Sequence, residues 1–280
     1  MNRCDVATRR RTTRYQCDTY YVQTRDVLTQ LHIDADEFAW RHAVLLLKPD
    51  AAVTGGMGRA VAWLEANGYR IVGATAVALT PLHVRALWYF NWHKATPHRR
   101  RLADQLAGLS QSIVLIVTHP DDDVPVSVRL TADKGPADPA QREPGQLRHA
   151  LASGTYLLNQ VHSPDDPDDV LRELSIYFDE AQLPAVLSAC MGEVEAGADA
   201  ARLATRIESG CVRGSVDIAE AQDAIWEDLQ AAGVTSRPRT GPDWIAALAV
   251  ADGQHLVVDQ WYRIVLEAAC LPMHRNPSGG

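Results

Sequence analysis

The sequence predicts an α/β fold, a ferredoxin-like βαββαβ sandwich with a four-stranded antiparallel sheet, continued by an all-α extension. Three observations carry this. Short apolar runs of strand length alternate with helical patterns from His42 to Phe178. Two helical stretches near 82–106 lie between two of those runs, which suits a split βαβ arrangement. From Ala181 onward the strand patterns stop and alanine-rich helical ones take over. The chain divides on this reading into a partly disordered, basic arm over 1–38, an α/β domain over 39–180 and a helical extension over 181–280.

Taken in order, "HAVLLLKP" (His42–Pro49) is a buried strand that ends at a proline unable to extend a ladder. "GGMGRAVAWLEANG" is a glycine turn and then a helix, with Ala60, Val61 and Leu64 on one face and Asn67-Gly68 as its stop. "YRIVGATAVAL" is β-rich. "TPLHVRALWYF" opens a helix with Thr80 as N-cap and Pro81 at its first position. A second short helix around "RRRLADQLAG" leads into the strand "SIVLIVTH", while "VPVSVRLTA" suits helix or strand equally. The Pro- and Gly-rich loop "DKGPADPAQREPGQ" is long for a compact domain, and such loops are functional or disordered. After a short apolar segment ending at His162, Asp166 caps a helix with Pro167 at its first position. In the extension, three apolar helical faces are expected: Ile218, Ala221, Ile225, Trp226 and Leu229; Trp244, Ile245 and Leu248; and Val257, Trp261, Ile264, Val265 and Ala268. Faces so patterned must bury against something, and a short connection, "DEAQLP", predicts docking on the α/β domain or on a second subunit.

Composition narrows the function classes. Hydrophobic residues are 46% and charged residues 22%, an ordinary globular balance. A net charge of −8 supplies no basic field for general nucleic-acid or anionic-membrane binding. No apolar run approaches membrane-spanning length, and the basic start "MNRCDVATRRRTTRYQC" has no apolar region after it, so no secretory signal is expected. The five cysteines form no CxxC pair, which fits a reducing cytoplasm and suggests neither a zinc site nor a disulfide framework.

The chemistry gathers around "LLNQVHSPDDPDD" (Leu157–Asp169). On the following helix Val170, Leu171, Leu174 and Tyr177 form the buried stripe, and Glu173 lies at its border. A carboxylate there is either a rim charge or a partner held inward, and His162, at the end of the strand feeding the helix, is the nearest candidate. A carboxylate bonded to one imidazole nitrogen fixes the tautomer and leaves the other nitrogen nucleophilic.

These two residues stand in a longer series: "KPD" at Lys48–Asp50, "PAD" at Pro136–Asp138, "PG" at Pro144-Gly145, Arg148, "NxxH" at Asn159–His162, and Glu173. In that order and over about Arg41 to Phe178, the series resembles the nucleoside diphosphate kinase family. The resemblance implies a phosphotransferase that works through a phosphohistidine at His162, with Glu173 orienting the ring and Lys48 binding phosphate beside it. It also implies Arg148 as a fork on phosphate oxygens, Asn159 on the sugar or a bridging oxygen, and Arg129 as a second phosphate arginine if one residue is deleted before the loop. Nucleoside tri- and diphosphates are the implied ligands, Mg²⁺ rides on their phosphates, and a homo-oligomer is expected. No P-loop is present, and the family uses none.

The chain departs from the family at substrate-holding positions. Where the family has His-Gly-Ser-Asp, this chain has His162-Ser163-Pro164-Asp165. Lys134 stands in place of a phosphate-contacting threonine, adding a cation beside the phosphates, and the loop from Asp138 to Pro144 is slightly longer. Trp92 or Phe90 takes the place of the base-stacking aromatic, and Arg99, Arg100 and Arg101 read as an exposed basic face. Two readings follow: a phosphotransferase with an altered acceptor, or a decayed, nucleotide-binding regulatory or scaffold module.

Overall fold

The computed structural model describes residues 15–152, 154–192 and 195–275. Its centre is a sheet of β1 (Ala43–Leu47), β2 (Arg70–Val77), β3 (Ser112–Thr118) and β4 (Val161–His162) in the order β2-β3-β1-β4, every pair antiparallel. β1 is fully buried along its length because it lies inside the sheet with helices on both faces. Alternation then sorts its side chains: Val44 and Leu46 face one layer, Ala43, Leu45 and Leu47 the other.

The first face is covered by α1 (Thr19–Gln30), α2 (Ala35–Arg41), α5 (Pro81–Leu87), α9 (Pro167–Tyr177) and α10 (Leu183–Cys190). The second carries α4 (Met57–Ala66), α7 (Val126–Lys134) and α11 (Gly197–Ser209), while α3 (Pro49–Val53) follows β1 directly. A third core joins α6 (Pro97–Ala107) and the Leu157–Leu158 segment to α12 (Ile218–Ala231), α13 (Gly241–Gly253) and α14 (Gln260–Cys270). The remaining helix of the α/β part is the single turn α8 (Leu147–Ala150). Among the described residues no helix is long and apolar enough to cross a membrane.

Several expectations change. The described part of the arm is not solvated: α1 and α2 sink Tyr21, Val27, Leu28 and Phe38 into the first core, because α9 offers them the apolar stripe of Val170, Leu171 and Leu174. Residues 1–14 of the arm lie outside the described residues. "VPVSVRLTA" is helical from Val126, with Val126 and Leu130 one turn apart on the sheet. A boundary near 180 does not part the cores, since Leu183, Leu187 and Cys190 of α10 complete the first one. In the extension Ala221, Ile225, Leu229, Trp244, Leu248, Trp261, Ile264 and Val265 bury as expected. Ile218 and Val257 do not: Ile218 opens α12 and is exposed, and Val257 precedes α14 in a loop and is 91% exposed.

Candidate active site

The site begins at the carboxyl end of β1. Pairing sets Leu46 opposite His162 and Leu47 opposite Val161, so the imidazole lies on the face that carries α9. β4 is only two residues long and needs anchoring from its flank. Lys48 N donates to Gln160 O at 2.9 Å, and Gln160 N donates to Oδ2 of the fully buried Asp50 at 2.8 Å. Gln160 has φ +63°, a left-handed conformation that costs a non-glycine residue about 1–3 kcal/mol. Its side chain helps to hold it there, donating from Nε2 to Leu151 O and accepting from the Thr54 hydroxyl. This is the work of the Asp in KPD: it fastens the chain two residues ahead of His162.

His162 Nε2 lies 2.8 Å and 3.0 Å from the two carboxylate oxygens of Glu173, which is 5% exposed. Tyr177, one helical turn on, donates its hydroxyl to Glu173 Oε2 at 3.1 Å. Burial, and then the charge of Glu173, hold the Tyr177 phenol well above its ordinary range, so it remains a donor. The carboxylate is thus fixed from two sides, and it takes the Nε2–H tautomer, leaving Nδ1 for chemistry. The Trp88 ring packs 5.0 Å from the imidazole at 59°.

Cations surround this pair. Lys48 Nζ donates to Leu157 O at 2.9 Å and stands 3.5 Å from Asp50 Oδ2; burial pulls its amine below the usual lysine range, against the pull of Asp50. Arg148 donates to Gly135 O at 2.8 Å and to Val161 O at 2.7 Å. Gly135 presents that carbonyl at φ +81°, where a β-carbon would also run into Gln146. Burial, with Arg142 next, pushes Arg148 down to about 10, so it stays charged at neutral pH. Lys134 is buried, donates to Ser163 Oγ and to Ser163 O, and is pushed down to about 7 by burial first and Arg148 second.

Two cavities meet at the His162 ring. Lys48, Asn159, Arg148 and His162 line the first, opposite an aromatic side made by Trp88, Trp92 and Tyr156. The second is more polar, with Lys134, Ser163, Asp165, Arg172 and Glu173 joining His162 and Arg148. The structure therefore brings together six of the seven residues singled out in the sequence. Arg129 is the exception: it pairs with Asp123, lies 3.7 Å from Asp121, and lines neither cavity. On α7 it projects toward the acid-rich loop before the helix, where Asp121 and Asp123 capture it. Asn159 donates to Tyr156 O at 2.9 Å, so its amide also ties down the loop that carries an aromatic wall.

Other contributors were hidden or misread in sequence. Arg99, expected on an exposed face, is half-buried, lines the first cavity and lies over the Tyr156 ring at 4.9 Å. Phe90 packs at a tilt against Tyr15 and lies under Arg172, and it does not line the first cavity, whereas Trp92 does. Tyr15, which bonds Asp169, reaches the second cavity from the arm. Tyr177 had a visible signal, its i,i+4 spacing from Glu173; Trp88, Arg99 and Tyr156 had none, because they meet only through the tertiary fold.

A half-buried imidazole bonded to a buried carboxylate at the end of a strand, beside a cavity lined by Lys48 and Arg148, is an arrangement able to meet an anion. Comparisons with known proteins give the family. The family model "Nucleoside diphosphate kinase" matches residues 41–183. The nucleoside diphosphate kinase of Thermococcus kodakarensis is 30% identical over 142 residues, covering 50% of this chain and 78% of that protein. That of Desulfovibrio desulfuricans is 31% identical over 141 residues, covering 49% and 94%. Among solved structures, the Aquifex aeolicus nucleoside diphosphate kinase aligns at 20% identity with a TM-score of 0.42, covering 51% of this chain and 97% of that one. The chain belongs to the nucleoside diphosphate kinase family, and residues beyond 183 lie outside the matched region.

Proposed function

We propose that this chain transfers the terminal phosphoryl group of a nucleoside triphosphate to a diphosphate or other phosphorylated acceptor, through a phosphohistidine at His162. The observation that carries the reading is the hydrogen bonding of Nε2 to both Glu173 oxygens, which leaves Nδ1 unengaged by Glu173 in a ring that lines a cavity with Lys48 and Arg148. Nδ1 attacks the γ-phosphorus; an N–P bond forms as the bond to the β-phosphate oxygen breaks, and the diphosphate leaves. The acceptor's terminal oxygen then attacks phosphorus and releases the histidine. Phosphoryl transfer asks mainly for positioning and charge neutralisation. Glu173 steadies the ring as positive charge develops on it, Lys48 and Arg148 face the transferring oxygens, and Asn159 and Lys134 add contacts to the rest of the ligand. Trp88 and Trp92 give the base a stacking surface, worth about 1–3 kcal/mol per base.

Among the described residues no three His, Cys, Asp or Glu side chains converge as a metal cage. An Mg²⁺ carried by the nucleotide's phosphates would add charge neutralisation beside Lys48 and Arg148. A second reading, a module that binds nucleotide without transferring, draws on Pro164 and on the bonds that already engage Lys134 with Ser163.

Incubation with γ-labelled ATP and Mg²⁺ tests the proposal. Acid-labile, base-stable label is expected on wild-type protein and none on His162→Ala. Nucleotide binding by titration without any label would select the second reading.

A further inference from the structure

The extension contributes more than bulk. After α14 the chain turns back and runs along the segment that leads into α6: Thr96 Oγ1 donates to Pro272 O at 2.6 Å, Arg275 N donates to Lys94 O at 3.0 Å, and Ala95 forms a β-bridge with His274. Arg275 Nε adds a bond to Ala95 O at 3.2 Å, and Met273 is buried in the core of the extension. At the end of this strap the His274 ring meets Tyr156 edge-on, 4.5 Å between centroids at 73°. On Tyr156 lies Arg99. Trp92, Arg99 and Tyr156 all line the first cavity, so the strap grips both segments that form that wall.

We propose that the strap Pro272–Arg275 builds this wall, and that His274 is a positioning residue that holds Tyr156, and through it the Arg99 guanidinium, for a nucleoside di- or triphosphate. The inference rests on reading the first cavity as the nucleotide site. Tyr156 sits in an irregular segment between Gly154 and β4, where no ladder fixes a side chain. An edge-on aromatic contact supplies about 0.5–1.5 kcal/mol of orientation, and a guanidinium over the ring adds a comparable amount. Arg99 has no carboxylate partner among the described residues, whereas Arg85 pairs with Asp104 and Arg101 with Glu267. A half-buried guanidinium without an acid, in a cavity that also holds Lys48 and Arg148, is suited to a polyanion. The family match ends at residue 183, so Trp92, Arg99 and Tyr156 lie within the matched region while the strap that holds them lies beyond it.

The test uses the full chain with His274→Ala and His274→Phe. MgADP binding is followed through tryptophan fluorescence, label incorporation is measured against ATP concentration, and hydrogen exchange is read over residues 94–99. For His274→Ala the expectation is about 3- to 10-fold weaker MgADP binding, a matching rise in the half-saturating ATP concentration, a maximal labelling rate within about twofold, and faster exchange. His274→Phe keeps the ring and should restore all of these. Unchanged MgADP binding and exchange in His274→Ala, a fall in maximal rate alone, or failure of phenylalanine to restore would each overturn the proposal. Wild-type protein that binds MgADP but takes no label defeats the transfer reading while the binding and exchange measurements still decide the strap; wild-type protein that binds no MgADP defeats both.

Discussion

In the sheet half of the molecule, hydrogen-bond register places chemistry; in the helical half, packing, fastened at the strap by a few hydrogen bonds, places support. Leu46 pairs with His162, and that one pairing orients the imidazole toward α9 and Glu173. Among its described residues the extension forms no strand ladder, only the single bridge of His274 to Ala95. Trp244, Leu248, Trp261 and Ile264 bury against Leu102, Leu106 and Leu157, and the outcome is a stiff backing for α6 and for the loop that carries Tyr156. The difference teaches that a short strand specifies a reacting atom through its neighbours, while a helical layer works through the elements it presses on. The two meet where α6 and residues 155–159 carry Arg99, Tyr156 and Asn159 into one cavity.

The harshest way to break that comparison is to remove the helical half. Ending the chain after Glu180 uncovers Leu102, Leu106 and Leu157 and strips Leu183 and Leu187 from the first core. The truncated protein should be insoluble, or melt more than about 10 °C lower by calorimetry. A fragment as soluble and stable as the whole would show that the extension supports nothing. Next in size, Glu173→Gln should keep the fold and slow phosphohistidine formation about 10- to 1,000-fold in single-turnover labelling. Equal kinetics in a folded variant would reduce Glu173 to a buried charge with no part in transfer.

Lys134 sharpens the comparison on the stability side. Its folded pKa of about 7 lies below the ~10.4 of an unfolded lysine, so the unfolded chain binds more protons between those values and stability rises with pH across that window. Lys134→Met should therefore gain about 1–4 kcal/mol in denaturant unfolding near pH 7, and the gain should shrink toward pH 10. A gain that does not depend on pH would point to packing rather than charge. The smallest effect belongs to Arg129→Ala. An arginine paired with loop aspartates and lining neither cavity should change labelling kinetics by less than about twofold, within the reach of a surface ion pair.

Much of the sheet half was legible in sequence because strands and caps leave local marks. The apolar run of β1, Pro49 after it, and Asp166-Pro167 opening α9 each act on their own few residues. The ordered series from Lys48 to Glu173 was legible for a similar reason: the residues hold their spacing even where each one alone is ambiguous. The arm was not legible, since α1 is weakly amphipathic and its burial depends on the groove that α9 and α10 provide. Arg99 was misread because three consecutive arginines look alike until the fold directs one to Tyr156 and another to Glu267. Arg129 failed for the opposite reason: a one-residue offset on α7 turns the side chain by about 100°, toward Asp121 and Asp123 rather than toward His162.

The measurement that bears most directly on the central claim is a chase of isolated, labelled protein. After γ-labelled ATP is removed, unlabelled ADP or GDP is added and the products are resolved at millisecond to second intervals. Transfer through His162 predicts that label leaves the protein and appears as nucleoside triphosphate, in amount equal to the label lost. Label that stays on the protein, or that leaves only as inorganic phosphate with every diphosphate and phosphorylated acceptor tried, would contradict it.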